Sequence, residues 1–382
     1  MAGPHPAVAS ARNAVAALDL PAGARVIAGV SGGADSLTLA AALAFVAPRQ
    51  GWAALAVIVD HGLREESARD AAHAAAICRD LGLDTEVVRA RVTDGPDGPE
   101  GEARKARMAA LLERAADGHV LLGHTLDDQA ETVLLGLARG SGTRSLAGMA
   151  PVQGRVLRPL LGLGRADTEA VCEALGLTPI EDPSNALDGP WRRADGGPLL
   201  RSAVRHIVLP VMERELGPKI AQALSRTAAL ARADADALDE IARAVFERSQ
   251  RDGALMPHSP VERSEQGERS RNRGTGESVA SHGFGSDIRP PHNQREDEQE
   301  SEAAEQNEVR IDVGLLDGLH TAVRTRVLNR AIIEAGGNEL SAVHTWTVER
   351  LVTEYHGQGA ADLPGFVKAE REGRDLVIRR SR

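Results

Sequence analysis

The chain has 382 residues, a formal net charge of −10, 42% apolar residues and only 2% aromatics, enough for two or three domains whose cores are built from Ala, Leu, Val and Ile. Its two cysteines, Cys78 and Cys172, lie far apart and form no CxxC pair, which excludes a disulfide framework, a zinc knuckle and an iron–sulfur site and fits a reducing, cytoplasmic setting. No apolar run approaches the roughly 20 residues of a membrane span, so no membrane partner is expected.

The Ala-rich start, with Arg12 and no long apolar stretch, reads as a first helix and not as a signal peptide. Short apolar runs then alternate with helical patterns. The runs are 24–30 (ARVIAGV), 53–60 (AALAVIVD), 85–90 (TEVVRA) and 119–124 (HVLLGH). The helical patterns are Ser36–Ala47, Glu66–Leu81, Glu102–Ala116 and Asp127–Arg139. This alternation predicts an α/β fold: a doubly wound, Rossmann-like parallel sheet with helices on both faces, over residues 1–190. Ligands of such sheets bind beyond the carboxyl ends of the strands.

After Pro198 the pattern turns helical. Leu200–Glu215, interrupted by Pro210, and a long Ala-rich helix at Ile220–Arg248 predict a mainly helical region over 191–248. Residues 249–308 carry 13 Asp and Glu against 7 Arg and almost no large apolar residues. Such a segment cannot repay its ordering entropy, so a disordered acidic insertion is expected there. Its net −6 leaves −4 for the rest, and an acidic total does not exclude RNA, because local basic patches meet the phosphates. A strand at VRIDV, helices at Thr321–Ala335 and His344–Tyr355 and a hairpin turning at Glu372-Gly373 predict a small C-terminal domain over 309–382. There is no internal repeat.

Ser31-Gly32-Gly33-Ala34-Asp35-Ser36 stands between the first strand and its helix. Small residues there let backbone N–H groups approach a phosphate, and the helix start adds its partial positive charge. GxxxxGK[ST] is absent, so it is not a Walker A loop. A Gly-Ser turn capped by Ser36 is the plain alternative. Asp60-His61-Gly62 ends the second strand. Beyond the fourth lie His124, Thr125 and a helix whose Asp128 and Glu131, three apart, share a face; acids there also suit the helix dipole alone. Arg104 and Arg107 lie on one side of another helix, where a solvated basic face is the plain alternative.

SGGxDS resembles the PP-loop of the ATP pyrophosphatase superfamily. VDHGLR at 59–64, the EAR block at 102–104 with its later Arg107, the run from Gly123 to Met149 (GHTLDDQAET, then RGSG and LAGM) and EDPSN at 181–185 together resemble the tRNA(Ile)-lysidine synthases. The resemblance is specific over Arg25–Glu215 and loose towards the C-terminus. It implies that ATP binds at Ser31, Gly32, Gly33, Ala34, Asp35, Ser36, Asp60 and His61. It further implies that Asp35, His124, Asp128 and Glu131 are catalytic, with Mg²⁺ on Asp35 and Asp128 and free L-lysine near the carboxylates. Arg104 becomes a candidate phosphate contact. After EDPSN the arginine spacing departs from the family's, so Arg201 and Arg205 compete with Arg192 and Arg193 for the basic pair that meets tRNA. The implied reaction adenylates the wobble cytidine of tRNA(Ile) with a CAU anticodon, and lysine then displaces AMP. A homodimer is left open. The rivals are another PP-loop adenylating enzyme, such as a tRNA thiolase, and a catalytically silent RNA-binding relative. Thiolation usually uses paired cysteines, which this chain lacks.

Overall fold

Side chains alternate across a strand, and β1 (Arg25–Val30) has apolar residues on both sides. Val26, Ala28 and Val30 face one helical layer, while Ile27 faces another. A strand apolar on both faces must lie in the middle of a covered sheet. In the computed structural model it does. The sheet runs β3-β2-β1-β4-β6-β5, with β2 (Ala53–Asp60), β3 (Asp84–Arg89) and β4 (His119–Leu122) all parallel to β1 or its neighbours. Two short strands, β5 (Val152–Gln153) and β6 (Val156–Leu157), close the β4 side. β6 is parallel to β4, and β5 antiparallel to β6.

One face of this sheet packs on α1 (Pro6–Ala16), α2 (Ala34–Gln50), α3 (Ser67–Asp80) and α7 (Arg165–Leu175), through Val8, Leu43, Cys78 and Val171 among others. The other face packs on α4 (Gly98–Ala115), where Leu111 and Ala115 meet Ile27, Val57, Val120 and Leu122. α5 (Leu126–Arg139) and α6 (Thr143–Leu146) follow β4. The strand order reverses between β1 and β4, so the crevice at their carboxyl ends is the switch point at which doubly wound sheets bind ligands.

The described residues are 3–60, 62, 66–90, 95, 98–140, 142–181, 186–189, 192–193, 195–255, 308–338 and 340–381. The chain divides into two units, Met1–Ala235 and Asp236–Arg382. The division falls inside α10 (Ile220–Leu255) and not at residue 190, where the sequence places the end of the first domain. The reason is packing: Val204, Leu209 and Ala221 share a core with Leu126 and Ala130 of α5. Pro210 does not interrupt the helical run. α8 (Leu200–Ala203) passes into a π-helical turn at Val204–Val208, and α9 (Leu209–Leu216) continues with Pro210 in its first turn. The π-turn directly before Pro210 shifts the ladder, with Leu209 N reaching Val204 O, so the missing N–H of proline falls where the regular i→i−4 pattern is already broken.

The second unit holds a four-stranded antiparallel sheet, ordered β7-β10-β9-β8. Its strands are β7 (Glu308–Asp312), β8 (Ala361–Leu363), β9 (Val367–Glu372) and β10 (Asp375–Arg380). The expected hairpin is therefore the centre of a larger sheet. Helices Val313–Asp317, Thr321–Glu334 and Ala342–Thr353 cover it through Leu316, Leu328, Ile332 and Leu351. Residues 249–255 belong to α10; the remainder of the expected insertion, 256–307, lies outside the described residues.

Candidate active site

At the end of β1 the chain turns into α2 through Ser31, Gly32 and Gly33. Gly32 has φ +91°, and a Cβ there would lie 2.5 Å from Ile180 Cδ1, so both conformation and space require glycine. The Gly32 carbonyl accepts from Ile180 N at 2.9 Å. Ser36, in the first turn of α2, folds its hydroxyl back under the loop. Its Oγ accepts from Ser31 N and Gly32 N, each at 3.1 Å, and donates to Gly33 O at 2.9 Å. Gly33 is the residue before the helix, with extended backbone and no side chain to cap it. Helix starts leave N–H groups unmade, and among the described residues no side chain caps this one.

β4 ends against this turn. A Cβ on Gly123 would stand 2.8 Å from Asp35 O, so glycine is what lets the two helix starts meet. His124 follows, and Thr125 caps α5. Asp128 Oδ2 accepts from Thr125 N at 2.9 Å and Thr125 Oγ1 at 3.1 Å, which is the returning half of a capping box. Gln129 uses both ends of its amide on Met149, accepting from N at 2.7 Å and donating to O at 3.0 Å. That pins the turn after α6.

Arginines arrive from the helices beyond. Arg205 forks onto Glu131 at 2.6 Å and 3.1 Å and also donates to Asp128 Oδ1 at 3.2 Å. Arg201 Nε lies 3.5 Å from Glu131 Oε2, and Arg165 Nη2 lies 3.9 Å from Oε1. Glu131 is fully buried, so three guanidiniums gather on one carboxylate that water does not reach. Arg193 instead pairs with Asp195 at 2.7 Å, and Arg192 donates to Leu187 O at 3.3 Å.

Burial raises Asp35 above the ordinary carboxylate range, and Asp128 adds to this, against the hydrogen bond from Thr168 and the charges of Arg165 and Arg205. Burial also acts upward on Asp128. The Thr125 N–H, His124, Arg205 and Arg201 outweigh it and hold the group below its usual value. His124 is pushed down to about 4 by burial, with Arg158, Arg104 and Arg107 reinforcing the shift and Asp128 opposing it. The imidazole is therefore neutral at pH 7, and its buried Nδ1 has no hydrogen-bond partner among the described residues. Arg107 is shifted down by burial and by Arg104 and Arg201, and its buried Nε likewise has no partner among the described residues.

The first unit thus brings Asp35, His124, Asp128, Glu131, Arg104, Arg201 and Arg205 into one electrostatically connected group beside the Ser31–Ser36 turn. Asp60 ends β2 at the same sheet edge, two residues past Ile58, the register partner of Val30; its Oδ1 accepts from Gly62 N at 2.9 Å. His61 and residues 182–185 lie outside the described residues. Arg201 and Arg205 are engaged with carboxylates and not presented as a bare phosphate-binding pair.

Sequence reasoning missed α7. Arg165 reaches Glu131, Arg165 N donates to Asp127 Oδ2 at 2.7 Å, and Thr168 Oγ1 lies 2.5 Å from Asp35 Oδ1. Nothing local marks these residues, whose partners lie 34 to 133 positions upstream. Arg158 was missed too: it donates to Ala150 O at 2.8 Å and stands in the charge field of Arg104 and Arg232.

Residues 7–211 match the family described as PP-loop domain. The chain is 43% identical over 386 residues to the tRNA(Ile)-lysidine synthase of Thermobifida fusca (strain YX), covering 99% of both. It is 42% identical over 357 residues to that of Leifsonia xyli subsp. xyli, covering 93% of this chain and 90% of the relative. Against the Streptomyces coelicolor protein of the same name it is 40% identical over 414 residues, covering 99% of both. Identity at this level along nearly the whole length, on a PP-loop fold with its glycine turn intact, places the chain in the tRNA(Ile)-lysidine synthase family.

Proposed function

We propose that the chain converts the wobble cytidine of tRNA(Ile), in a CAU anticodon, to lysidine, using ATP to activate the base and free L-lysine as the amine. The observation that carries this is the meeting of two helix starts at the switch point, with Asp35 on one and Asp128 on the other in each other's field. In this assignment the Ser31–Ser36 turn and the start of α2 face the β- and γ-phosphates of ATP, since N–H groups at a helix start bind anions. The cytidine is flipped out of its stack to expose its 2-oxygen. That oxygen attacks the α-phosphorus, the bond to pyrophosphate breaks, and an adenylated base results. The lysine ε-amine then adds at the activated carbon, loses a proton, and AMP leaves.

The residues divide this work by charge. Arg104, Arg107 and Arg158 surround a neutral His124, which leaves a buried positive field for phosphate. Neutral His124 can accept a hydrogen bond, or a proton on becoming an imidazolium that Asp128 favours and the arginines oppose, whereas Asp128, held ionised by Thr125, His124 and Arg205, is a poor base and a good ammonium partner. Lysine reaches the carboxylates by exchanging with one of the guanidiniums already on them, because both oxygens of Asp128 and Glu131 are engaged. Among the described residues no cluster of three or more His, Cys, Asp or Glu could hold a metal ion. The donor set fits a cation that arrives with its nucleotide: Mg²⁺ takes one or two carboxylates and draws its other ligands from phosphate and water. Asp35, with Oδ2 outside the Thr168 contact, would hold it, and Asp128 would do so only if Arg205 moved. When bound, Mg²⁺ supplies neutralisation of charge on the transferring phosphoryl group.

No helix among the described residues is long and apolar enough to cross a membrane; we place the reaction in the cytoplasm. A thiolase reading is less favoured, since Cys78 and Cys172 are both free and buried. The test is mass spectrometry of the wobble nucleoside after incubation with tRNA(Ile), ATP and labelled lysine. A cytidine heavier by one lysine less one water is expected, with pyrophosphate released only when tRNA is present. Pyrophosphate release without tRNA, or an unmodified nucleoside, contradicts the assignment.

A further inference from the structure

We propose that Thr168 is a positioning residue for Asp35, making the first turn of α7 a working part of the site. Thr168 is fully buried, and its hydroxyl has one proton to give. Two acceptors are in reach, the Arg165 carbonyl at 2.9 Å and Asp35 Oδ1 at 2.5 Å. A buried threonine in a helix ordinarily satisfies itself on the carbonyl one turn back. Here the shorter contact is to a carboxylate 133 positions upstream, and a charge-assisted bond at this length is the stronger of the two.

The surrounding geometry makes that bond directional. Thr38, one turn along α2 from Asp35, donates its own Oγ1 to the Thr168 carbonyl at 3.1 Å. The two helices are thus clasped twice at the same level, once in each direction. The single bond from Thr168 fixes Asp35 Oδ1, and among the described residues Oδ2 has no hydrogen bond. One oxygen is anchored and the other is left for what enters the turn. The same short segment holds two more carboxylates, with Arg165 N on Asp127 and the Arg165 guanidinium near Glu131. α7 therefore sets the orientation of the acidic groups from behind while the residues of α2 and α5 face the crevice.

The proposal rests on Asp35 acting at the reacting phosphates, so the experiment tests both levels separately. Thr168→Val keeps the shape and removes only the hydroxyl. Thr168→Ser keeps the hydroxyl, and Asp35→Asn tests the site itself. Single-turnover pyrophosphate release is followed with tRNA and ATP, and KM is measured for tRNA and lysine. Thr168→Val should slow release by about 10- to 100-fold, as a misplaced catalytic group does, with both KM values unchanged and Thr168→Ser near wild type. On the Asp35→Asn background, Thr168→Val should add less than about twofold, because residues acting through one another are not additive. If Thr168→Val does not fold, Thr168→Ala compared with Thr168→Ser gives the same difference of one hydroxyl. Wild-type release by Thr168→Val beside an inactive Asp35→Asn overturns the positioning role alone, as does a full multiplicative loss in the double variant. Wild-type release by Asp35→Asn overturns the site assignment and this role with it.

Discussion

The start of α2 and the start of α5 stand side by side at the switch point, the carbonyl oxygen of Asp35 only 2.8 Å from where a Cβ of Gly123 would be. They are built in opposite ways. The α2 start is nearly bare: two glycines, an alanine, and a serine hydroxyl that takes the amides of Ser31 and Gly32 from below. The α5 start is crowded, with a capping carboxylate, a fully buried Glu131 and three guanidiniums on it. A bare helix start is a receptor for an anion that comes and goes. A crowded one is a preformed charge network, in which any incoming cation competes with an arginine. In the function proposed above, the contrast puts phosphate at the first and the amine at the second.

The crowded side should break most severely. Glu131→Gln leaves Arg205 and its neighbours without their shared buried counter-charge. Breaking a buried pair in this way costs about 3–5 kcal/mol, so denaturant unfolding should show a loss of that order together with loss of lysine transfer. A variant as stable as wild type would mean that the arginines find other partners, and the network is then not what holds α5 to α7, α8 and the π-helical turn.

His124 offers a pH readout of the same region. Its folded value of about 4 lies below the ordinary 6.5 of the imidazole, so between these limits the unfolded chain binds the proton and the folded chain does not. Stability is therefore fully present above pH 6.5 and is lost as the pH falls towards 4. At about 1.4 kcal/mol per unit the loss amounts to about 3 kcal/mol. In His124→Asn that window should flatten, by about 2 kcal/mol between pH 7 and pH 4.5, measured as unfolding free energy at the two values. An identical slope in variant and wild type would show that His124 charges freely in the folded protein.

The contrast also separates what the sequence discloses from what it hides. The bare side is legible, because Gly32, Gly33 and Ser36 fall within one six-residue run between a strand and a helix, and their spacing alone defines the turn. β2 falls at 53–60 as read, since a strand apolar on both faces has no helical alternative of that length. On the crowded side only the acids are legible. Asp128 and Glu131 announce themselves by helical spacing, but Arg205 and Arg165 reach Glu131 from 74 and 34 residues downstream, through a π-turn and a helix start that carry no local signature. Pro210 misleads for a related reason, because a proline in a first helical turn has the same sequence as one that ends a helix. The division of the chain within α10 is equally silent, set by packing of Ala221 onto α5 and not by any change in composition.

The bare side gives the gentler test, through two adjacent glycines that look alike in sequence. At Gly32 a methyl group meets Ile180 at 2.5 Å and the backbone has φ +91°. The left-handed conformation costs an alanine about 1–2 kcal/mol, and the overlap about as much again, so Gly32→Ala should lower stability by about 2–4 kcal/mol. At Gly33 the backbone is extended, and the nearest atoms, Ile180 O and Ser31 Oγ, lie 3.9 Å away. Gly33→Ala should therefore unfold within about 0.5 kcal/mol of wild type, as unstrained substitutions do. The added methyl would nevertheless stand in the cradle where phosphate is assigned, and KM for ATP should rise several-fold while KM for lysine does not. Equal ATP affinity in Gly33→Ala and wild type would put the phosphates somewhere other than the bare helix start. A parallel rise in both constants would mean that the two helix starts do not divide the substrates between them.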